Sequence, residues 1–256
     1  MKTPSKAALG FILVAFGMLW IPLGQHDFLI EHWMKLGVFM APFLLFVAAA
    51  FRSESSKGKE IDLKFWSLIL LVTYIIHQFE EHWVDLFGNI YAFKPYLNSL
   101  LRERFGGTGN STGPLSDAGV FVINTSLVWL VASLGIWRAP QHLFPALCMA
   151  SIVIVNAFSH IGAAVVTLGY NPGLLTAVTL FIPLGLTAYS RSLRNGQAKI
   201  GEVAASIVWG ILAHIVMIAG MIATGWFRII PESVYFVVLV SWSILPVFLY
   251  RRANHV

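Results

Sequence analysis

The chain has 256 residues, of which 57% are hydrophobic and 11% are charged, and its mean hydropathy is +0.76. A soluble domain carries about a quarter charged residues, so this composition excludes a disordered chain and argues against an ordinary soluble domain. The net charge of +5 comes from basic residues in short groups between apolar runs. That pattern is typical of a multi-pass membrane protein, and we expect no nucleic-acid partner.

Eight apolar stretches are predicted to cross the lipid bilayer as helices, because a span needs about 20 mostly apolar residues. The predicted spans are residues 7–24, 34–51, 65–84, 119–137, 141–168, 173–189, 203–226 and 233–250. The sixth stretch is short and contains Pro183, so seven spans are the alternative count. We therefore expect an all-α, polytopic transmembrane helix bundle in which residues 1–256 form a single domain.

The loops between the spans predict the orientation of the chain in the membrane. With the N-terminus in the cytosol, 12 Lys and Arg residues fall in cytosolic segments and 4 fall in outer segments. Basic loops stay preferentially in the cytosol, so we expect both termini to be cytosolic in a plasma or inner membrane. The outer loop, at residues 86–118, contains a glycine-rich stretch, and we expect no stiff helix in it.

The third predicted span carries ionisable residues where a bilayer disfavours them. His77, Glu80 and Glu81 follow the apolar run 69–76. An ionisable side chain costs at least about 2.5–3.5 kcal/mol at the centre of a membrane helix, so such residues indicate function. At about 100° per residue these three side chains share one helix face, whereas His82 points about 140° away from His77.

Two further spans carry polar residues at a similar depth. Asn156 and His160 are four residues apart in the fifth span, and His214 stands among apolar residues in the seventh. With a rise of about 1.5 Å per residue, His77, His160 and His214 lie about 20, 28 and 18 Å from the cytosolic ends of their spans. This common depth, in the outer half of the bilayer, predicts one polar site.

A divalent metal ion explains why carboxylates and imidazoles meet in a dry place, because it offsets the carboxylate charge and binds neutral imidazole. We expect His77, Glu81 and His160 to be ligands, with His214 as a candidate fourth ligand. Zinc is the first expectation, since three protein ligands with an open position make a catalytic zinc site. Iron is the second, because two histidines and a carboxylate also suit non-haem iron.

The remaining polar residues of these spans receive catalytic roles. Glu80 is the spare carboxylate, which near a metal-bound water would act as general base. Asn156 would orient His160 or donate a hydrogen bond to a developing oxyanion. Spacing alone does not decide which of Glu80 and Glu81 binds the metal.

These residues resemble the HXXEE family of integral membrane proteins, which carries a His-x-x-Glu-Glu motif and an Asn-x-x-x-His motif. The two motifs are present here as His77–Gln78–Phe79–Glu80–Glu81 and Asn156–Ala157–Phe158–Ser159–His160. Gly173 is the candidate for a glycine that the family also carries. The resemblance covers residues 65–190 and implies a membrane enzyme without supplying its reaction or substrate.

The sequence therefore predicts a metal-dependent integral-membrane enzyme. The leading hypothesis is a hydrolase that acts on a lipid or other apolar substrate through a metal-activated water in the outer half of the bilayer. One alternative is an iron-dependent membrane oxidase or hydroxylase, and another is a proton-coupled transporter, since buried carboxylates and histidines also relay protons.

Overall fold

The computed structural model describes residues 26–55, 63–105, 113–138 and 142–249, and the regular structure in these ranges is helical. It comprises eight helices, which confirms the all-α prediction. They are α1 (Asp27–Ser55), α2 (Leu63–His82), α3 (Phe93–Phe105), α4 (Asp117–Arg138), α5 (Phe144–Thr167), α6 (Leu174–Arg194), α7 (Ile200–Gly225) and α8 (Glu232–Val247).

Five of the described helices are long and apolar enough to cross a membrane: α1 over Asp27–Ala50, and α4, α5, α6 and α7 over their full lengths. Helix α8 is apolar but shorter. Helix α2 ends in the polar run from His77 to His82. The first predicted span, residues 7–24, lies outside the described residues. A count of eight spans and two cytosolic termini stay predictions.

Helix α5 is the centre of the bundle and packs against α2, α4, α6 and α7. Its first eleven residues, 144–154, are all buried. Small residues let the neighbouring α7 approach closely, since a Cβ atom on Gly210 would stand 1.9 Å from the Ser151 hydroxyl oxygen. The later turns of α5 therefore hold Asn156 and His160 against the helices that surround them.

Two helices contain a segment of wider, π-type turns, Thr125–Leu130 in α4 and Ala177–Phe181 in α6. The α6 segment lies just before Pro183. A proline ring clashes with the preceding turn of a regular α-helix, and its nitrogen has no hydrogen to donate. Phe181 at its end is completely buried. Its ring packs against the His77 imidazole with 4.3 Å between centroids, so the irregular turn places an aromatic wall behind the polar motif.

Helix α3 corrects one prediction. We expected no stiff helix in the loop at residues 86–118, yet α3 occupies 13 of those residues. The expectation was wrong because the glycines begin only after Phe105, which leaves Phe93–Phe105 free to form a helix. Leu101 of α3 is buried in the core, and Leu97 packs against it. Helix α3 thus covers the interior of the bundle near the end of α2.

Candidate metal centre

Three predicted ligands come together inside the bundle. His77 and Glu81 lie one turn apart on α2, and His160 faces them from α5. The Nε2 atom of His77 is 3.3 Å from Glu81 Oε2, and the Nε2 atom of His160 is 3.4 Å from Glu81 Oε1. All three residues are buried, and one donor atom of each lies within 4.8 Å of the others. This group could hold a metal ion.

Two of the spacings between these donor atoms fit a tetrahedral ion. Ligands at about 2.0–2.2 Å from a tetrahedral Zn²⁺ are separated from each other by roughly 3.3–3.6 Å. The two imidazole-to-carboxylate distances, 3.3 and 3.4 Å, fall in that range. The described donor set, two imidazoles and one carboxylate, could therefore hold a metal ion with an open fourth position.

The hydrogen bonds of His77 turn its Nε2 lone pair toward the centre, where the Asn156 amide nitrogen also approaches it at 3.1 Å. Its Nδ1 atom lies 2.9 Å from the Thr176 hydroxyl oxygen. That hydroxyl donates its own proton to Glu80 Oε2 over 2.5 Å, so it accepts from His77. His77 consequently carries its proton on Nδ1, which is the tautomer that presents Nε2 as a ligand.

The hydrogen bonds of His160 select the same tautomer. Its Nδ1 atom is 2.6 Å from Asn171 Oδ1, which can only accept. The orientation of the Asn171 amide is fixed because its nitrogen donates to the carbonyl oxygen of His160 over 3.0 Å. The proton of His160 therefore sits on Nδ1, and Nε2 faces Glu81.

A third imidazole, that of His82, contacts the same carboxylate. Its Nε2 atom is 3.0 Å from Glu81 Oε2 and 3.0 Å from the Asn124 amide nitrogen. The Trp129 indole donates to Gln78 Oε1, and Gln78 donates to Asn124 Oδ1. Because the indole nitrogen can only donate, this chain of bonds makes Asn124 the donor to His82.

The centre is consequently rich in nitrogen and oxygen atoms that could bind a cation. The Nε2 atoms of His77, His82 and His160 all face the buried Glu81 carboxylate. The described ion pairs give Glu81 no lysine or arginine partner. A buried carboxylate without a compensating charge is costly. A cation between Glu81 and the imidazoles would compensate this charge, and a metal ion could fill that role.

Glu80 lies beside this centre but binds elsewhere. Its carboxylate accepts hydrogen bonds from the Tyr170 hydroxyl and from the backbone nitrogens of Leu175 and Thr176, at 2.8–3.1 Å, in addition to the Thr176 hydroxyl. The two backbone donors belong to the first turn of α6, where unpaired N–H groups favour an anion. Glu80 thereby fastens α2 to the start of α6.

The turn between α5 and α6, residues 170–173, holds the two motifs together. Tyr170 binds Glu80, and Asn171 binds His160. Burial, and the neighbouring Glu80, raise the pKa of the Tyr170 hydroxyl, so it remains a donor. Gly173 has a φ of +93° and lies against both imidazoles, since a Cβ atom there would be 2.7 Å from His77 Cε1 and 2.8 Å from His160 Cε1. Only glycine fits this position.

Two predicted site residues lie near the centre in other arrangements. The described hydrogen bonds of Asn156 do not include one to His160; its amide nitrogen is 3.1 Å from His77 Nε2, and its donation to an oxyanion stays a prediction. His214 places its Nδ1 atom 2.8 Å from the Gly210 carbonyl oxygen. It lies outside the group of three potential ligands but lines the same cavity as Glu81 and His160.

That cavity has a volume of about 260 Å³ and borders the metal centre. Its polar wall contains Glu81, His82, Asn124, Asn156, Ser159, His160, Asn171 and His214. The rest of its wall is apolar or aromatic and comes mainly from α3, α4, α5 and α7. Concave, mostly apolar pockets with a few convergent polar groups are typical of small-molecule sites.

Several residues of the centre were not predicted. His82 was placed on another helix face, and Tyr170, Asn171 and Thr176 stand in or after a turn, where no helical period links them to a motif. One signal was available: Tyr170 and Asn171 are polar residues three and two positions before Gly173, the candidate family glycine.

The Asn171–His160 contact predicts a measurable effect on metal affinity. Asn171→Leu removes the acceptor that fixes the His160 tautomer, and we expect about 10–100-fold weaker Zn²⁺ binding, the usual cost of losing such a contact. Asn171→Asp keeps an acceptor at the same place and should stay closer to the wild type. Competition with a chelating dye measures both. Equal affinities in Asn171→Leu and the wild type would contradict this role.

Residues 68–188 match the model of a family described as a protein of unknown function with HXXEE motif. The matched segment runs from α2 into α6 and contains His77, Glu81, His160 and the turn at 170–173. The resemblance predicted over residues 65–190 is confirmed. No curated protein and no solved structure matches the chain.

Proposed function

We propose that this chain, which carries the HXXEE-family segment at residues 68–188, is a metal-dependent integral-membrane hydrolase with a lipid or other apolar substrate. The observation that carries the proposal is the convergence of three imidazole Nε2 atoms on the buried Glu81 carboxylate. A divalent ion bound by His77, Glu81 and His160 would satisfy the acceptors of that group.

The proposal gives each residue of the centre a role. His77, Glu81 and His160 would hold the ion, and a zinc ion bound there would supply Lewis acidity and activate a water near neutral pH. Thr176 and Asn171 keep the two imidazoles in the metal-binding tautomer. His214 borders the cavity rather than the group of ligands, so we assign it to the substrate side.

The contacts of Glu80 favour a different role from the one predicted. Its oxygens are occupied by donors from Tyr170, Leu175 and Thr176, and it does not line the cavity. We therefore assign Glu80 as a positioning residue that acts on His77 through the Thr176 hydroxyl. Stabilisation of a developing oxyanion then falls to the polar cavity wall, where Asn156 would donate a hydrogen bond.

The apolar cavity supports a substrate drawn from the membrane. Helices α5 and α7, which form much of its wall, are both apolar enough to span a bilayer. With both termini in the cytosol, as the loop charges favour, the centre lies in the outer half of the bilayer. The lipid bilayer is then both the environment of the protein and the source of its substrate.

One feature favours a second candidate, an iron-dependent membrane oxidase or hydroxylase. Two histidines and one carboxylate are also the donor set of many non-haem iron enzymes. Iron in the purified protein, together with oxygen consumption that depends on it, would favour this candidate over the hydrolase.

The hydrolase is tested with p-nitrophenyl octanoate as a chromogenic ester. The purified protein is stripped with a strong chelator and then reloaded with Zn²⁺. We expect hydrolysis to disappear with the metal and to return with about one equivalent of zinc, because the ion supplies the nucleophile. Ester hydrolysis that continues at the same rate without metal would contradict the proposal.

A further inference from the structure

We infer that the cavity beside the metal centre binds one unbranched aliphatic chain, which enters from the bilayer between α5 and α7. This inference rests on the proposed function and deepens it. It makes the substrate a single-chain amphiphile whose polar group lies at the metal centre and whose tail lies under α3.

The size of the cavity limits the substrate to one chain. Its volume, about 260 Å³, lies just below the usual range of about 300–1,000 Å³ for ligand pockets. It equals the volume of roughly nine water molecules at about 30 Å³ each, and therefore of roughly eight or nine methylene groups of similar size. This size favours one aliphatic chain over the two chains of a diacyl lipid.

The wall of the cavity is divided as an amphiphile requires. Its polar members are linked to one another: Glu81 contacts His82 and His160, and these contact Asn124 and Asn171. Aliphatic side chains from three helices form the apolar part of the wall. They are Leu97, Leu100 and Leu101 of α3, Leu127 and Val128 of α4, and Met217, Ile218 and Met221 of α7.

The exposed residues of the cavity wall lie on two helices that are apolar enough to face lipid. Two of its lining residues, Ser159 on α5 and Ile218 on α7, are exposed. Both belong to helices that are apolar enough to span a membrane, so their exposed faces meet lipid tails. The Ser159 hydroxyl donates to the Val155 carbonyl within its own helix and needs no water there. An aliphatic chain can therefore enter sideways.

One buried hydroxyl group in the cavity wall lacks a hydrogen-bond partner within the part of the chain that the structure describes, and it indicates where a polar group of the ligand would bind. Tyr96 of α3 lines the cavity, and its hydroxyl is buried without a partner among the described residues. Buried hydroxyl groups are nearly always hydrogen-bonded. The Tyr96 hydroxyl consequently suits an acceptor oxygen of the bound amphiphile, such as a carbonyl.

The test measures binding of n-alkanoic acids of increasing length to the purified protein, by displacement of a fluorescent fatty acid. Burial of one methylene is worth about 0.8 kcal/mol, so we expect affinity to rise about four-fold per carbon. The increase should stop at roughly eight or nine carbons, where the cavity is full. The series is repeated on protein stripped of metal, in which the dependence on chain length should persist.

Matched variants separate the cavity from general partition into detergent. Ile218→Trp fills the opening and should remove the dependence on chain length, whereas Ile215→Trp, on the exposed face of α7 outside the cavity wall, should leave it unchanged. Leu100→Trp approaches the same cavity from α3 and serves as a second blocking variant. Tyr96→Phe should weaken binding of every acid by a similar factor of about three to ten, the value of one hydrogen bond.

The outcomes distinguish this inference from the proposed function. A chain-length series that is identical in the wild type, Ile218→Trp and Leu100→Trp would overturn the inference, even if the protein binds zinc normally. If affinity rises with chain length and stops rising at the expected length in the wild type alone, the inference is supported, even if no zinc is bound and the hydrolase proposal fails.

Discussion

Replacing Glu81 with glutamine is expected to abolish metal binding while leaving the protein folded. The two carboxylate oxygens of Glu81 face His160 and His77 separately, and glutamine has the same shape without the charge. The amide group of glutamine can also donate a hydrogen bond to a facing Nε2 lone pair. In the variant this hydrogen bond would therefore replace the cation that we expect to bind the imidazole in the wild type. We expect zinc content to fall from about one equivalent to nearly none, a loss of more than the roughly 100-fold of an indirect contact.

Thermal unfolding provides an independent measure of the same change. A ligand that binds only the folded state at about 100 times its dissociation constant adds about 2.7 kcal/mol of stability. Added Zn²⁺ should therefore stabilise the wild type and leave Glu81→Gln unaffected. Elemental analysis of both proteins, purified side by side, completes the comparison.

Two further glutamates act as controls and settle which member of the pair is the ligand. Glu31→Gln alters an exposed residue of α1 and should retain full metal content. Glu80→Gln weakens the anchor of Thr176 and should lower zinc affinity by about 10–100-fold. If Glu80→Gln lost the metal and Glu81→Gln kept it, the assignment of ligand and positioning residue would be reversed.

Helical periodicity and depth in the membrane were sufficient to predict the core of the centre. His77 and Glu81 are one helical turn apart and therefore share a helix face. His160 lies at a similar depth on another span, so it can face both of them across the bundle. The same reasoning placed His82 on the opposite face. It failed there because His82 ends α2 and touches the end of the long Glu81 side chain, whose reach is not limited to its own helix face.

The residues that orient the ligands could not be predicted in this way. Asn171 lies in a turn and Thr176 in the first turn of α6, and their contacts with His160 and His77 join residues 11 and 99 positions apart. The 3.6-residue period of an α-helix relates only residues within one helix, so it could not predict contacts between such distant residues. The position of Glu80 depends on the same turn, since its backbone donors exist only because α6 begins there.

Helix α3 shows a similar limit. Its sequence is polar enough to read as loop, and its helical form depends on the burial of Leu101 and the packing of Leu97 against the core. Tertiary contacts commonly decide the state of such short segments. The cavity wall that α3 supplies was therefore absent from the sequence-based prediction, although the apolar substrate that it implies was expected.

Gly173→Ala is expected to disrupt the centre more than any other single-methyl change in the turn. The φ of +93° costs an alanine about 1–2 kcal/mol. Its Cβ atom would also stand within 2.8 Å of carbon atoms of both His77 and His160, and relief of such overpacking costs about 1–3 kcal/mol more. Neither ring can move away freely, because Thr176 and Asn171 hold them. We expect a total destabilisation of about 2–5 kcal/mol together with weaker zinc binding.

Alanine variants of two other glycines separate the cost of the backbone conformation from the cost of close packing. Gly196 has a φ of +67° with no neighbouring atom within 4 Å of a built Cβ, so Gly196→Ala carries only the backbone cost. Gly162 lies within helix α5 with equally open surroundings, so Gly162→Ala should be neutral or stabilising by up to about 1 kcal/mol. Unfolding in detergent and zinc titration rank the three variants. The close packing of Gly173 against the two imidazoles would be refuted if Gly173→Ala were no less stable than Gly196→Ala and bound zinc as the wild type does. Loss of zinc binding in Gly173→Ala alone would instead tie this backbone position directly to the geometry of the ligands.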